Sequence, residues 1–168
     1  MARLTTIMLT TAALAAMTTG CAKKHPAELP PPAGQDRPMT QPTGPGYTLG
    51  SRADFEHSVT SNTVHFALDR YDIDPQARAI LDSQATWLAK WPNVPVSLEG
   101  HCDERGTREY NLALGDRRAN AVKNYLAARG IDSRRISTIS YGKERPLALG
   151  SDEASWAQNR RAVTIVLN

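Results

Sequence analysis

Regular alternation of apolar and polar residues is confined to residues 57–168. Within this stretch the period changes repeatedly between two residues, typical of strands, and about 3.6 residues, typical of helices. The pattern predicts, in order, strand, helix, strand, helix, strand, short helix and strand. The predicted ranges are 63–68, 75–91, 94–101, 108–129, 136–141, 153–160 and 162–167.

Local signals mark several helix ends. Asp74 precedes Pro75, which predicts an N-cap followed by a residue suited to the first helical position. Ser151 is the predicted cap of the short helix, and Gly130 ends the long one. Alternation of strands and helices predicts an α/β (α+β) two-layer sandwich with a mixed four-stranded sheet and βαβ crossovers.

Residues 1–20 have the pattern of a signal peptide: Arg3 precedes a charge-free stretch that is too short and too weakly apolar to span a membrane. Cys21 follows directly, in an arrangement that resembles the lipobox of bacterial lipoproteins, which predicts cleavage before Cys21 and acylation of its thiol. Ala22 then implies the outer membrane, since lipoproteins retained in the inner membrane tend to carry Asp there. Ordinary cleavage after Ala15 is the alternative, and it would leave a soluble, unlipidated periplasmic module.

Residues 21–56 are predicted to be a lipidated cysteine followed by a disordered tether. Of the 11 prolines in the chain, seven lie between residues 22 and 56, and no apolar period is visible there. Such a segment buries too little apolar surface to offset the entropy of ordering it. The folded domain is therefore predicted to span residues 57–168.

Charge and composition exclude several classes of function. Twenty basic and 17 acidic residues give a net charge of +3, too small for a polycationic tail, so no nucleic-acid partner is expected. His101 beside Cys102 could suggest a metal or thiol–imidazole site, but neighbouring strand residues point to opposite faces. No metal site, cofactor or catalytic centre is predicted. A cell-wall hydrolase is the remote alternative, and it would require a nucleophile, metal or acid pair whose spacing the sequence lacks.

The helix predicted over 108–129 carries an arginine on its apolar face. At about 100° per residue, Arg118 lies about 40° from Val122, the centre of that face, whereas Arg117 lies on the polar side. Arg105, Arg108 and Arg117 are interpreted as solvated surface charges. A buried guanidinium needs a partner, because an unpaired buried charge is very costly. The partner is either an internal acid or a carboxylate from outside the chain, and the sequence leaves both possibilities open.

Two acidic residues follow predicted strands. Asp69 comes after the first strand and Asp103 after the second. Ligand sites in open α/β sheets collect at the carboxyl ends of strands, so we expect both acids to flank one crevice that Arg118 reaches from its helix. Two carboxylates and a guanidinium would suit a zwitterion.

Four segments carry a family resemblance that covers the predicted domain. The run EGHCDERGTREYNLALGDRRANAVKNYL spans residues 99–126, and shorter matches are VHFALDRYDI at 64–73, SYGKERP at 140–146 and NRRAV at 159–163. Together they resemble the OmpA-like peptidoglycan-binding domain family and, more narrowly, the peptidoglycan-associated lipoproteins of the Tol–Pal system.

The resemblance implies a function and a site. It implies a non-catalytic outer-membrane lipoprotein that faces the periplasm and tethers the membrane to the cell wall, serving envelope integrity and cell division. The implied ligand is the diaminopimelate side chain of peptidoglycan stems, contacted by Asp69, Asp103 and Arg118. Thr107, Asn111 and Leu114 are expected to line the pocket. The implied partners are peptidoglycan, outer-membrane lipid through acylated Cys21, and Tol proteins including the periplasmic propeller protein.

Overall fold

The computed structural model describes residues 46–167, and at their centre is a mixed four-stranded sheet. Its strands are β1 (Thr63–His65), β2 (Val96–His101), β3 (Ile136–Gly142) and β4 (Arg161–Val166), in the spatial order β1-β4-β2-β3. β4 runs antiparallel to both of its neighbours, whereas β2 and β3 are parallel. The predicted fold class is confirmed.

Two long helices cover the sheet: α2 (Pro75–Lys90) follows β1, and α3 (Arg108–Ala128) follows β2. α3 packs against β2 and β3, while α2 packs against β1 and α3. The core between the layers is aliphatic and includes Leu81, Leu88, Val96, Leu98, Ala119, Val122 and Leu126.

One close contact sets the distance between α3 and the sheet. Gly100 in β2 faces Gly115 in α3, and a side chain at Gly100 would overlap the carbonyl oxygen of Gly115. The absence of a Cβ therefore lets the helix backbone lie directly on the strand. Arg118 lies one turn beyond Gly115 in α3. The same contact therefore places the Arg118 side chain near the end of β2.

The predicted tether is wrong at its C-terminal end. Residues 52–58 form the helix α1 (Arg52–Ser58), which Ser51 caps by accepting a hydrogen bond from the Asp54 amide. Phe55 is fully buried in the core. A seven-residue helix with one buried aromatic side chain is too short to show an apolar period in the sequence. The predicted signal peptide, Cys21 and residues 22–45 of the predicted tether lie outside the described residues.

Several predicted boundaries shift for local reasons. β1 ends at His65 rather than at residue 68, because the chain turns where the Arg70 amide bonds to the Ala67 carbonyl. The cap of α4 (Glu153–Asn159) is Asp152 rather than Ser151. The predicted cap Asp74 and first residue Pro75 of α2 are confirmed, with the Asp74 side chain accepting from the Ala77 amide at 2.7 Å.

Between residues 46 and 167, no helix combines the length and the apolar character needed to cross a membrane.

Candidate functional site

A cavity of about 290 Å³ lies where the loops after β1 and β2 meet α3. Its size is at the lower end of the usual range for small-molecule sites. It brings together five of the predicted residues, namely Asp69, Asp103, Asn111, Leu114 and Arg118. Its wall is completed by residues that were not predicted: Leu68, Cys102, Arg105, Gly106, Tyr110 and Arg160. Thr107 lies outside this lining and is the N-cap of α3, where its hydroxyl accepts from the Tyr110 amide at 3.2 Å.

Arg118 is 1% exposed, and its hydrogen bonds go almost entirely to main-chain carbonyls. Its Nε donates to the carbonyl of Arg70 at 2.9 Å, and its Nη1 and Nη2 donate to those of His101 at 2.8 Å and Ala67 at 3.1 Å. Nη1 also contacts the Cys102 sulfur at 3.4 Å. These bonds tie the loop after β1 to the end of β2.

This arrangement differs from the internal acid that was one of the two partners considered for Arg118 on sequence grounds. Within residues 46–167, no Asp or Glu oxygen lies within 4.0 Å of its guanidinium. Burial lowers the pKa of Arg118, and the nearby charges of Asp103 and Asp69 oppose that effect. Arginine remains protonated despite such shifts, so carbonyl dipoles solvate the charge without neutralising it.

Asp103 is 4% exposed and is already paired within the chain. Arg105 binds it through two side-chain bonds, of 2.6 and 3.2 Å, and Arg160 reaches it at 3.4 Å. Burial raises the pKa of Asp103, but the hydrogen bonds from Arg105 and the bond from Arg160 more than offset this, and the pKa lies below its usual value. The interpretation of Arg105 as a surface charge is therefore wrong.

Asp69 is the more available acid of the cavity. Its backbone has φ = 54°, in the left-handed region that Asp tolerates better than most residues. The side chain is exposed and accepts one hydrogen bond, from the Tyr110 hydroxyl at 3.3 Å.

Sequence reasoning missed Arg160, which joins the cavity to α4. Its Nε donates to the Phe66 carbonyl at 3.0 Å and its Nη2 to Glu153 at 2.7 Å, in addition to its contact with Asp103. The only available signal was its place in the NRRAV segment before the last strand, because Arg160 and Asp103 are 57 residues apart in the chain.

α4 also holds Arg105 in place. The Arg105 guanidinium stacks over the Trp156 ring at 4.0 Å from its centre, and Trp156 Nε1 donates to Glu104 at 3.0 Å. The Trp156 ring therefore helps to hold Arg105 in its bidentate pair with Asp103.

The charged side chains of the cavity suit a ligand that carries both signs. Among the lining residues, three guanidinium groups, of Arg105, Arg118 and Arg160, face two carboxylates, of Asp69 and Asp103, while Glu153 outside the lining pairs with Arg160. Carboxylates bind well to such guanidinium groups, while an ammonium can bind the acids.

Cys102 does not provide a nucleophile. It is 3% exposed, and its thiol donates to the Asn111 carbonyl at 3.3 Å. Burial raises the pKa of Cys102, which favours the unreactive thiol over the thiolate. In the described part of the chain, no group of three His, Cys, Asp or Glu residues could hold a metal ion.

Comparison with known proteins places this chain in a family. The sequence model of the OmpA family matches residues 65–160. A peptidoglycan-associated lipoprotein of Rhizobium meliloti (strain 1021) is 54% identical over 119 residues, which cover 71% of this chain and 67% of the relative. One from Haemophilus influenzae is 48% identical over 120 residues, covering 71% of this chain and 78% of the relative.

A solved structure agrees with these sequence relatives. The crystal structure of the peptidoglycan-associated lipoprotein from Burkholderia pseudomallei superposes with a TM-score of 0.64 at 42% identity, covering 68% of this chain and 100% of that one. The chain therefore belongs to the OmpA family, alongside the peptidoglycan-associated lipoproteins that it resembles.

Proposed function

We propose that the folded domain binds the diaminopimelate side chain of uncrosslinked peptidoglycan stems in this cavity, and that it does so without catalysis. One observation carries the proposal: Arg118 lines the cavity as a buried charge with no acidic partner in the described part of the chain. A ligand carboxylate would supply the missing counter-charge. The names of the relatives and the membership of the OmpA family support peptidoglycan as the source of that carboxylate.

The end of a diaminopimelate side chain carries an ammonium and a carboxylate on one carbon. Four N–H groups of Arg118 have acceptors within the described residues, and we assign the fifth, on Nη2, to the carboxylate. Asp69 is assigned to the ammonium, since Asp103 is already held by Arg105 and Arg160. Asp103 then acts mainly by fixing the two arginines around the ligand.

Asp69→Asn tests this assignment directly. The side chain is exposed and Asn tolerates the same left-handed backbone, so the fold should persist. We expect sacculus pull-down, and competition by free diaminopimelate, to weaken by about tenfold or more, because a hydrogen bond to a charged group is lost.

Glu144→Gln is the matched control, since Glu144 is an exposed acid that pairs with Arg108 at 3.1 Å and is absent from the cavity lining. The control should bind sacculi as the wild type does. Equal binding by wild type and Asp69→Asn would contradict the assignment.

We further propose that Cys21 is acylated and that the following segment tethers the domain to the outer membrane, facing the periplasm. Stable anchoring requires more than one acyl chain. Labelled palmitate should be incorporated by the wild type and not by Cys21→Ser. An unlabelled wild type would instead indicate a soluble periplasmic module.

Tol proteins, including the periplasmic propeller protein, are the proposed protein partners, and the family resemblance alone supports them. The test is co-purification of the propeller protein with the full chain from membranes, and failure to recover it after crosslinking would contradict the assignment.

A further inference from the structure

Two further hollows are linked to the cavity through shared lining residues, one on the loop after β1 and one on the outer side of α3. A shallow hollow lined by Asp69, Arg70, Tyr71 and Asp72 shares Asp69 with the cavity. A third hollow, here called the α3 groove, is lined by Tyr71, Arg117, Asn120, Ala121 and Asn124, and it shares Tyr71 with the second. Asp69 and Tyr71 therefore link the three hollows in series, from the cavity to the hollow that Arg117 lines.

The α3 groove presents hydrogen-bonding groups that the chain itself uses little. Arg117, Asn120 and Asn124 follow one another at helical spacing and form a single strip on α3. Among the described residues Arg117 has neither an acid within 4.0 Å nor a hydrogen-bond acceptor, and its guanidinium lies 5.9 Å from the centre of the Tyr71 ring. Asn120 donates one bond, to the Asp116 carbonyl at 3.0 Å, which leaves its oxygen free to accept.

Electrostatics also connect Arg117 to the cavity. Tyr110 lines the cavity and its hydroxyl donates to Asp69. Partial desolvation and the Asp69 carboxylate raise the pKa of Tyr110, while the positive charge of Arg117 opposes them. Arg117 thus acts electrostatically on the cavity's edge.

A guanidinium beside two carboxamides fits a carboxylate flanked by peptide groups. In a peptidoglycan stem, diaminopimelate follows a glutamate that is linked through its side chain, and the α-carboxylate of that glutamate is free in some cell walls and amidated in others. We propose that Arg117 binds this free α-carboxylate, with Asn120 and Asn124 contacting the adjoining peptide groups, so that the α3 groove distinguishes free from amidated stems. The inference rests on the proposed function of the cavity.

The test compares two synthetic stem tripeptides that differ only in a free α-carboxylate or a carboxamide on the glutamate, with affinities measured by calorimetry. The wild type should bind the free acid about two- to fivefold more tightly, as expected for a solvent-exposed ion pair. Arg117→Gln should bind both peptides equally, at the affinity of the wild type for the amide. Arg117→Lys should keep part of the preference.

Arg108→Gln is the matched control, because Arg108 is an exposed arginine of the same helix that pairs with Glu144 and is absent from both hollows and from the cavity. It should retain the wild-type preference. A wild type that binds both peptides equally, or an Arg117→Gln variant that keeps the preference, overturns the inference while leaving stem binding intact. Failure of both peptides to bind the wild type overturns the proposed function itself, and this inference with it.

Discussion

Arg118 is held by main-chain carbonyls rather than by an acid, and this decides what the residue can do. An internal carboxylate would have neutralised the guanidinium and left little reason for a ligand to bind there. Carbonyl dipoles from Arg70, His101 and Ala67 instead fix its position, and no acid of the described residues contacts its guanidinium. A single buried side chain therefore organises two loops, and in the proposed function it also binds the carboxylate of the ligand.

Gly100 is the residue on which the placement of Arg118 depends. Gly100→Ala should lower the free energy of unfolding by about 1–3 kcal/mol, since its methyl group meets the backbone of Gly115 and must push α3 outward. Urea unfolding of the variant measures this. Gly46→Ala is the control, because a Cβ there has no neighbour within 4 Å. An unchanged midpoint for Gly100→Ala would mean that helix and strand can separate at little cost.

At the scale of the element, α1 closes the domain at its N-terminal end. Asp54 is 5% exposed and accepts hydrogen bonds from the Gly50 amide at 2.8 Å and from Trp87 Nε1 at 3.0 Å, which joins α1 to α2. Phe55 packs edge-on against Trp87, with ring centres 5.0 Å apart. α1 is therefore part of the folded domain and not of the segment that precedes it.

Asp54→Ala should cost about 1–3 kcal/mol of unfolding free energy, because the buried Trp87 Nε1–H loses its acceptor. Thermal or urea unfolding measures the loss. Glu56→Ala, in the same helix, removes only an exposed pair with Arg52 and should cost less than about 1 kcal/mol. Similar losses in the two variants would argue against a specific role for the Asp54–Trp87 contact.

For the molecule as a whole, the order of the strands in the sheet brings the residues of the candidate site together. β4 lies between β1 and β2, so Arg160, at its start, is placed beside the loops that follow those two strands. Asp69, Asp103 and Arg160 thus come from three distant parts of the chain. The same topology buries His101 at the end of β2, where its ring lies 5.5 Å from that of Tyr141.

His101 should make global stability depend on pH. Burial and then the charge of Arg161 lower the pKa of His101 to about 4, from an ordinary value of 6.5. As pH falls below 6.5 the unfolded chain binds a proton that the folded chain does not, so stability decreases until the pH reaches about 4. The loss from this group is about 3 kcal/mol, at 1.36 kcal/mol per pKa unit.

Unfolding free energies at pH 7, 5 and 4 should therefore fall more steeply for the wild type than for His101→Phe, which keeps a ring against Tyr141. Subtracting the two profiles removes the contribution of the carboxylates common to both proteins. Parallel profiles would show that His101 does not carry the effect.

The sequence predicted those features that depend on neighbours along the chain. Apolar periods located the four strands and the three later helices, and the Asp74–Pro75 pair marked the start of α2. Helical spacing alone placed Arg118 on the buried face of α3 and Arg117 on the exposed one. Asp69 and Asp103 could be assigned to one edge because each follows a strand.

Tertiary structure decided which groups meet across the chain. It revealed α1, whose few apolar residues form no period, and it placed Arg160 beside Asp103. It also surrounded the guanidinium of Arg118 with carbonyls where the sequence had allowed an internal acid. Periodicity fixes which side of an element is buried, whereas the partner of a buried charge depends on distances set by the packing of several elements, which no local pattern contains.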